Sequence, residues 1–300
     1  MTLFNKSIYV TGIISLLASC GMVGEDAVTV PAYICVPSFT FVTDTASPNS
    51  PTYQGANSHK FLDMWISDAG KLIGNIGLPS LIPIQRTGPT QIWVEAGISI
   101  TGQDEVRESY PLISQHIKTS DLKPGVIDTI YPVFKYLPNI EFKFIEDYDR
   151  PGSFLSIEPT EKLPGDTIIR INNEHSWRTG NVAGKVEMDN GHDAMQLISA
   201  EFTLPQSGSP VYLEIDYKSN LPLDIGYYYL EPGASGVSPS NSVIRTFPNA
   251  TWKKLYVKLT DEVATRKVGT GYVIYIALLN IDKIAAEVYI DNVKLVCLKG

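Results

Sequence analysis

Residues 211–218 read Val-Tyr-Leu-Glu-Ile-Asp-Tyr-Lys, a strict two-residue alternation that an extended strand turns into one apolar and one polar face. Val211, Leu213, Ile215 and Tyr217 form the inward set, and Tyr212, Glu214, Asp216 and Lys218 the outward set. Residues 253–259 repeat the device, burying Leu255, Val257 and Leu259 and turning Lys254, Tyr256 and Lys258 outward. Residues 272–279 are apolar on both faces, as a central strand is. Residues 287–296 direct Val288 and Ile290 inward, after which an irregularity at Asp291-Asn292 returns Val293 and Leu295 to the core.

The first half of the chain is punctuated in the same way. Residues 38–42 alternate, residues 44–52 form a loop broken by Pro48 and Pro51, and residues 60–66 form a strand. The Asp68-Ala-Gly-Lys71 turn closes a hairpin in which Gly70 takes positive φ. No window from 31 to 147 sustains an apolar 3.6-residue repeat over the roughly 10 to 12 residues of a solid helix. The fold class expected is all-β, with two tandem β-sandwich domains. A chain of 300 residues with 44% hydrophobic content can fill two cores.

Residues 1–20 carry Lys6 as their only charge, a mostly apolar run from Ile8 to Leu17, and small residues just before Cys20. This reads as a secretory signal too short to span a bilayer, which needs about 20 apolar residues. The Leu-Ala-Ser-Cys ending resembles the bacterial lipobox, which implies cleavage before Cys20 and a diacylated thiol there. An acidic pair, Glu25-Asp26, follows Cys20 and resembles the surface-export signal of Bacteroidetes-type envelope lipoproteins. The expected layout is a signal peptide over 1–19, a tether over 20–30, a first sandwich over 31–149, a linker with approach strands over 150–175, and a second sandwich over 176–300. The expected location is the outer membrane of the cell envelope, at the cell surface, with the N-terminal lipid as the contact to the membrane.

A net charge of −8 repels phosphate backbones, so nucleic acid is not an expected partner. With Cys20 committed to lipid, Cys35 and Cys297 remain at opposite ends of the chain; buried free thiols are expected, and a disulfide between them is the alternative.

Two stretches resemble known modules. Residues 65–98, with Lys71-Leu-Ile-Gly74 and the proline corner at Pro79, are similar to small Ig-like or transthyretin-like envelope modules. Gly184-Lys-Val-Glu-Met-Asp189, Leu213-Glu-Ile-Asp-Tyr217, Thr251-Trp252 and the closing Val288-Tyr-Ile-Asp-Asn-Val293 resemble jelly-roll, galactose-binding-like carbohydrate-binding modules. That resemblance implies a glycan as ligand and a structural calcium between the first and last strands, held by Asp291 with Glu187 or Asp189.

Catalytic patterns are absent from the sequence. His59, His116, His175 and His192 lack metal-ligand spacing, and no nucleophile elbow or phosphate-cradling loop occurs. Asp147 and Asp149 lie in a proline-bounded charged stretch that reads as solvated linker rather than a carboxylate pair for glycoside cleavage. The candidate ligand surface is the outward face of the second domain. There Tyr212, Tyr256, Tyr228 and Tyr275 would form a stripe of rings beside Glu214, Asp216, Lys254 and Lys258, a combination suited to stacking on sugar C–H faces. Trp177 and Trp252 are expected as core or inter-domain anchors. The function expected is non-enzymatic recognition of a glycan or another envelope polymer; the alternative is a structural role, as an adhesin, a fimbrial-type subunit or an accessory of a surface protein machine that meets other envelope proteins.

Overall fold

Period-two sequence becomes layered sheet throughout a computed structural model that describes residues 30–45, 50–100, 106–159, 162–172, 182–188, 191 and 193–299. The first ten strands are β1 (Ala32–Val36), β2 (Thr40–Val42), β3 (Asp63–Asp68), β4 (Lys71–Gly77), β5 (Ser80–Ile84), β6 (Gly88–Ser99), β7 (Arg107–Ser109), β8 (His116–Leu122), β9 (Ile127–Thr129) and β10 (Val133–Lys135). The rest are β11 (Ile140–Glu146), β12 (Leu155–Ile157), β13 (Thr167–Asn172), β14 (Val182–Glu187), β15 (Ala194–Ser199), β16 (Phe202–Thr203), β17 (Val211–Ser219), β18 (Leu223–Leu230), β19 (Asn241–Arg245), β20 (Asn249–Lys258), β21 (Gly271–Leu279) and β22 (Val288–Leu298). One short helix, α1 (Thr260–Ala264), follows β20.

In the first sandwich the sheet β4-β3-β6 has its far edge shared by β7 and β8, and it faces the smaller sheets β5-β1-β9 and β10-β2. Ile34, Met64, Ile66, Ile92, Val94 and Phe134 fill the space between them. The hairpin between β3 and β4 turns at Ala69 and Gly70; Gly70 has the positive φ expected of it, and Ala69 has one as well.

The second sandwich stacks the sheet β13-β14-β22-β17-β20 on the sheet β12-β15-β21-β18-β19. Val211, Leu213, Ile215, Leu255, Val257, Val288, Ile290, Val293 and Leu295 all enter its core, so the inward sets read from the alternation are the inward sets of the fold. The Asp291-Asn292 irregularity is a bulge: Asn292 has φ +47° and the β17–β22 register shifts between Glu214 and Asp216. Cys297 lies in this core and Cys35 on β1, and both thiols are free.

The chain enters the second sandwich earlier than the expected end of the first at residue 149. β22 is eleven residues long and β14 covers only Val288 to Ile290 of one edge; β11 fills the rest, from Ile140 opposite Leu298 to Glu146 opposite Val293. Phe144 therefore packs in the second core, and the 150–175 stretch supplies β12 and β13 to it. Asp147 is not solvated linker either. It is buried and accepts a hydrogen bond from the Tyr53 hydroxyl at 2.7 Å, while Asp149 accepts one from the Val182 N–H at 3.2 Å.

Candidate functional site

The outward faces of β17, β20 and β22 carry the residues expected to meet a ligand, and over most of their length they are closed. The first sandwich packs on them. Tyr212 and Tyr256 are each 2% exposed and join the first domain's core together with Val296. The Tyr110 ring lies 5.2 Å from Tyr212 and 5.1 Å from Tyr256, and Phe61 stacks on Tyr256 at 6.3 Å. The pleat assignment holds and the exposure does not: a face that alternates as outward is here the floor of an inter-domain seam. Tyr212, Glu214, Asp216 and Tyr256 therefore do not form an accessible ligand surface.

Polar groups survive in this seam because they satisfy one another. One Glu214 oxygen accepts the hydroxyls of Tyr110 at 2.6 Å and Tyr136 at 2.7 Å, and the other lies 3.1 Å from the Lys254 ammonium. Lys254 also sits 3.5 Å from Asp216 and donates to Ser58 at 3.2 Å. Lys294 donates to the Ala56 carbonyl at 2.7 Å, and the Tyr256 hydroxyl accepts the Lys60 N–H at 3.2 Å. Burial alone would push the Glu214 carboxyl up, but Lys254, Lys294 and the two tyrosine hydroxyls outweigh it and hold the group below the ordinary carboxylate value. For Lys294 burial wins, reinforced by repulsion from Lys254, and its ammonium is pushed down to about 8.

Asp291 is the contrasting carboxyl. Burial first, and then the neighbouring Asp216 charge, push it well above the usual carboxylate value, though it accepts the Asn292 N–H at 2.7 Å. A carboxyl raised in the native state contributes stability below its unfolded-state pKa of about 3.9 and loses it as pH rises through the native value. Asp291→Asn should therefore stabilise the protein at neutral pH, and the gain should shrink as the pH falls. Thermal melts of both proteins between about pH 4 and 8 check this; a pH-independent difference would show that Asp291 is ionised in the fold.

Of the expected calcium ligands, Glu187 and Asp291 are not brought together. β14 runs opposite β22 with Val186 at Val288 and Gly184 at Ile290, which leaves Glu187 level with Glu287, four positions from Asp291. Strand rise makes that about 13 Å, too far to share an ion. Glu187 instead pairs with Lys185 at 3.1 Å, and Asp189 lies outside the described residues. Among the described residues no three His, Cys, Asp or Glu side chains are grouped as metal ligands.

Tyr228 and Tyr275 belong to the other sheet, so the four rings of the expected stripe divide two and two. Their rings are 5.2 Å apart on the outer face of β18 and β21. Tyr275 lies across Gly226, where a Cβ would come within 2.6 Å of its hydroxyl, and is itself buried; Tyr228 is half-buried and donates to Gln196 at 2.7 Å.

Beyond the seam the outer face of the β22-β17-β20 sheet is open. Tyr289, Lys218 and Trp252 line up across its three strands: Lys218 pairs with Tyr289, and Trp252 falls at the bulge opposite Lys218. The Trp252 and Tyr289 rings are 6.4 Å apart at 57°, and the Lys218 ammonium stands 4.3 Å from the Tyr289 ring centre. Beside them a cleft of about 340 Å³ is lined by Lys218, Asn220, Pro248, Asn249, Ala250 and Glu287. Asn220 is fixed by donating to the Ala285 carbonyl at 2.8 Å and accepting the Glu287 N–H at 2.7 Å. Among the described residues neither polar atom of the Asn249 carboxamide has a hydrogen-bond partner.

Trp252 is thus a half-buried residue of an open face, not an inter-domain anchor, and Trp177 lies outside the described residues. The signal for Trp252 and Tyr289 is present in the alternation, since Tyr289 falls between the inward Val288 and Ile290. What the alternation does not carry is which end of the sheet the first domain covers.

No protein-family model matches the chain, and no curated protein matches it. Similar solved structures include the xylan-binding CBM22-2 domain of Paenibacillus barcinonensis Xyn10C, 12% identical, with 52% of this chain and 99% of that chain covered at a TM-score of 0.39. Another is a carbohydrate-binding module of the β-sandwich superfamily described for promiscuous specificity, 12% identical over 89% of this chain and 98% of that one, TM-score 0.39. A third is the enzymatically active domain of bacteriophage CBA120 tailspike protein 4, 12% identical over 54% of this chain, TM-score 0.37; the chain spans 19% of that protein's length.

Proposed function

We propose that this chain is a lipid-anchored, non-enzymatic cell-envelope protein whose second sandwich recognises a glycan. The observation that supports the reading is the open end of the β22-β17-β20 sheet, where Trp252 and Tyr289 stand beside a cleft edged by polar groups. Pyranose rings stack their C–H faces on such rings while their hydroxyls meet fixed donors and acceptors. The test is retention of the full chain on a panel of plant and bacterial polysaccharides, compared with Trp252→Ala. Trp252 is half-buried, so the variant should stay folded while binding falls roughly two- to tenfold, the worth of one ring stack. If no polysaccharide retains the wild type, the structural role in an envelope assembly takes over.

Anchoring is the second part of the reading, and it rests on the Leu-Ala-Ser-Cys20 sequence. Cys20→Ala should move the protein from the detergent-dependent membrane fraction to the soluble fraction. A variant that still needs detergent would mean that something other than a lipid on Cys20 holds the protein to the membrane.

A further inference from the structure

Lys254 and Asp216 face each other directly on the neighbouring antiparallel strands β17 and β20, and neither side chain has any exposed surface. The lysine nitrogen lies 3.5 Å from one Asp216 oxygen and 3.1 Å from Glu214. The other Asp216 oxygen accepts the Asn292 side-chain N–H at 3.0 Å. Tyr110, Tyr256 and Phe61 wall the group off from water. A lysine nitrogen, the carboxyl group it faces and a third ionisable group are therefore held together in one dry site. We propose that Lys254 and Asp216 become joined by an isopeptide bond formed within the folded protein, with Glu214 carrying the protons.

The step balances without an oxidant or a co-reactant. Glu214 takes one proton from the Lys254 ammonium and passes it to the Asp216 oxygen that faces the lysine, and the freed lone pair attacks Cγ of the resulting acid, the new C–N bond placing charge on the oxygen that Asn292 holds. A second lysine proton passes by way of Glu214 to the departing hydroxyl. The C–O bond breaks, water leaves, and Glu214 is a carboxylate again. An ammonium and a carboxylate have become an amide and a water.

Two features set the roles. Glu214 is kept ionised by Lys254 and Lys294 first and then by two tyrosine hydroxyls on one oxygen, which suits a base and not an electrophile. Asp216 offers the carboxyl carbon, with one oxygen held by Asn292 and the other facing the lysine. Desolvation favours the product, since a dry site prefers a neutral amide to a buried ion pair. The product also leaves the seam balanced, because Glu214 stays opposite Lys294 across β17 and β22.

The test is mass spectrometry of a tryptic digest of the denatured full chain. The expected result is a branched peptide joining the Asp216 segment to the Lys254 segment, lighter than their sum by one water, and absent from Lys254→Arg and from Glu214→Gln. Two linear peptides at full mass, with no branched species, would overturn the bond. A branched peptide undiminished in Glu214→Gln would overturn the role given to Glu214. Should either variant fail to fold, the wild-type digest by itself still shows whether the bond forms.

Discussion

Glu214→Ala should be among the most damaging single substitutions in the chain, lowering stability by about 3 to 5 kcal/mol, because it removes the buried carboxylate that faces Lys294 and that two buried hydroxyls share. Lys254 loses its 3.1 Å partner, and the hydroxyls of Tyr110 and Tyr136 lose the oxygen they share. The effect has a pH signature. Lys294 is already depressed to about 8, and Glu214 is the strongest influence holding it up. A lysine depressed in the fold is destabilising while charged, and stability rises as pH climbs from its native value to the unfolded value of about 10.4. Removing Glu214 should lower the native value further, so the deficit should begin to recover at a lower pH than in the wild type. Urea unfolding at several mildly alkaline pH values measures both quantities. A midpoint unchanged from the wild type would mean that Glu214 is not the counter-ion of the seam.

The same seam decides what part of the second sandwich can act on anything outside the protein. By burying Tyr212, Tyr256, Glu214, Asp216, Lys254 and Lys294, the first sandwich uses one half of the β22-β17-β20 face as an internal joint. The half that bears Lys218, Trp252 and Tyr289 lies outside this joint. A sheet face that is polar and aromatic along its whole length thus serves two purposes in succession, and the position of the first domain marks where one gives way to the other.

Much of this architecture is legible in the sequence, for a physical reason. Strand side chains alternate by geometry, so Val211, Leu213, Leu255, Val257 and Val288 announce their common face without any knowledge of the partner sheet. The bulge at Asn292 is legible because two polar residues interrupt an apolar alternation and the phase changes after them. Exposure is not legible. A Tyr or Glu on the polar face looks the same in sequence whether water or another domain covers it, because the decisive groups are distant: Tyr110 and Tyr136 lie roughly a hundred residues from the Glu214 they serve. The place of β11 is hidden for a similar reason, since its partner β22 is the last strand of the chain. Which strands of the second sandwich are neighbours is also beyond the pattern, so the alternation groups Tyr228 and Tyr275 with Tyr212 and Tyr256 in one stripe although they occupy opposite sheets.

The double substitution Tyr212→Ala with Tyr256→Ala distinguishes an exposed face from a seam most sharply. On an exposed face each truncation would move stability by no more than about 0.5 kcal/mol. In the seam each ring is buried, and a buried aromatic cut to alanine costs roughly 3 to 5 kcal/mol. Tyr212 also donates its hydroxyl to Glu108, and Tyr256 receives the Lys60 N–H, so both changes strand polar partners as well. The two rings share Tyr110 as a neighbour, which makes one joined cavity and a total short of the simple sum. A combined loss of at least about 5 kcal/mol corresponds to a fall in melting temperature on the order of 10 °C for a chain of this size. Because the rings belong to the first domain's core and not to the open cleft, refolded protein at low temperature should still bind whatever glycan the wild type binds. A melting temperature within a degree or so of the wild type would show that the two domains do not close on these rings in solution.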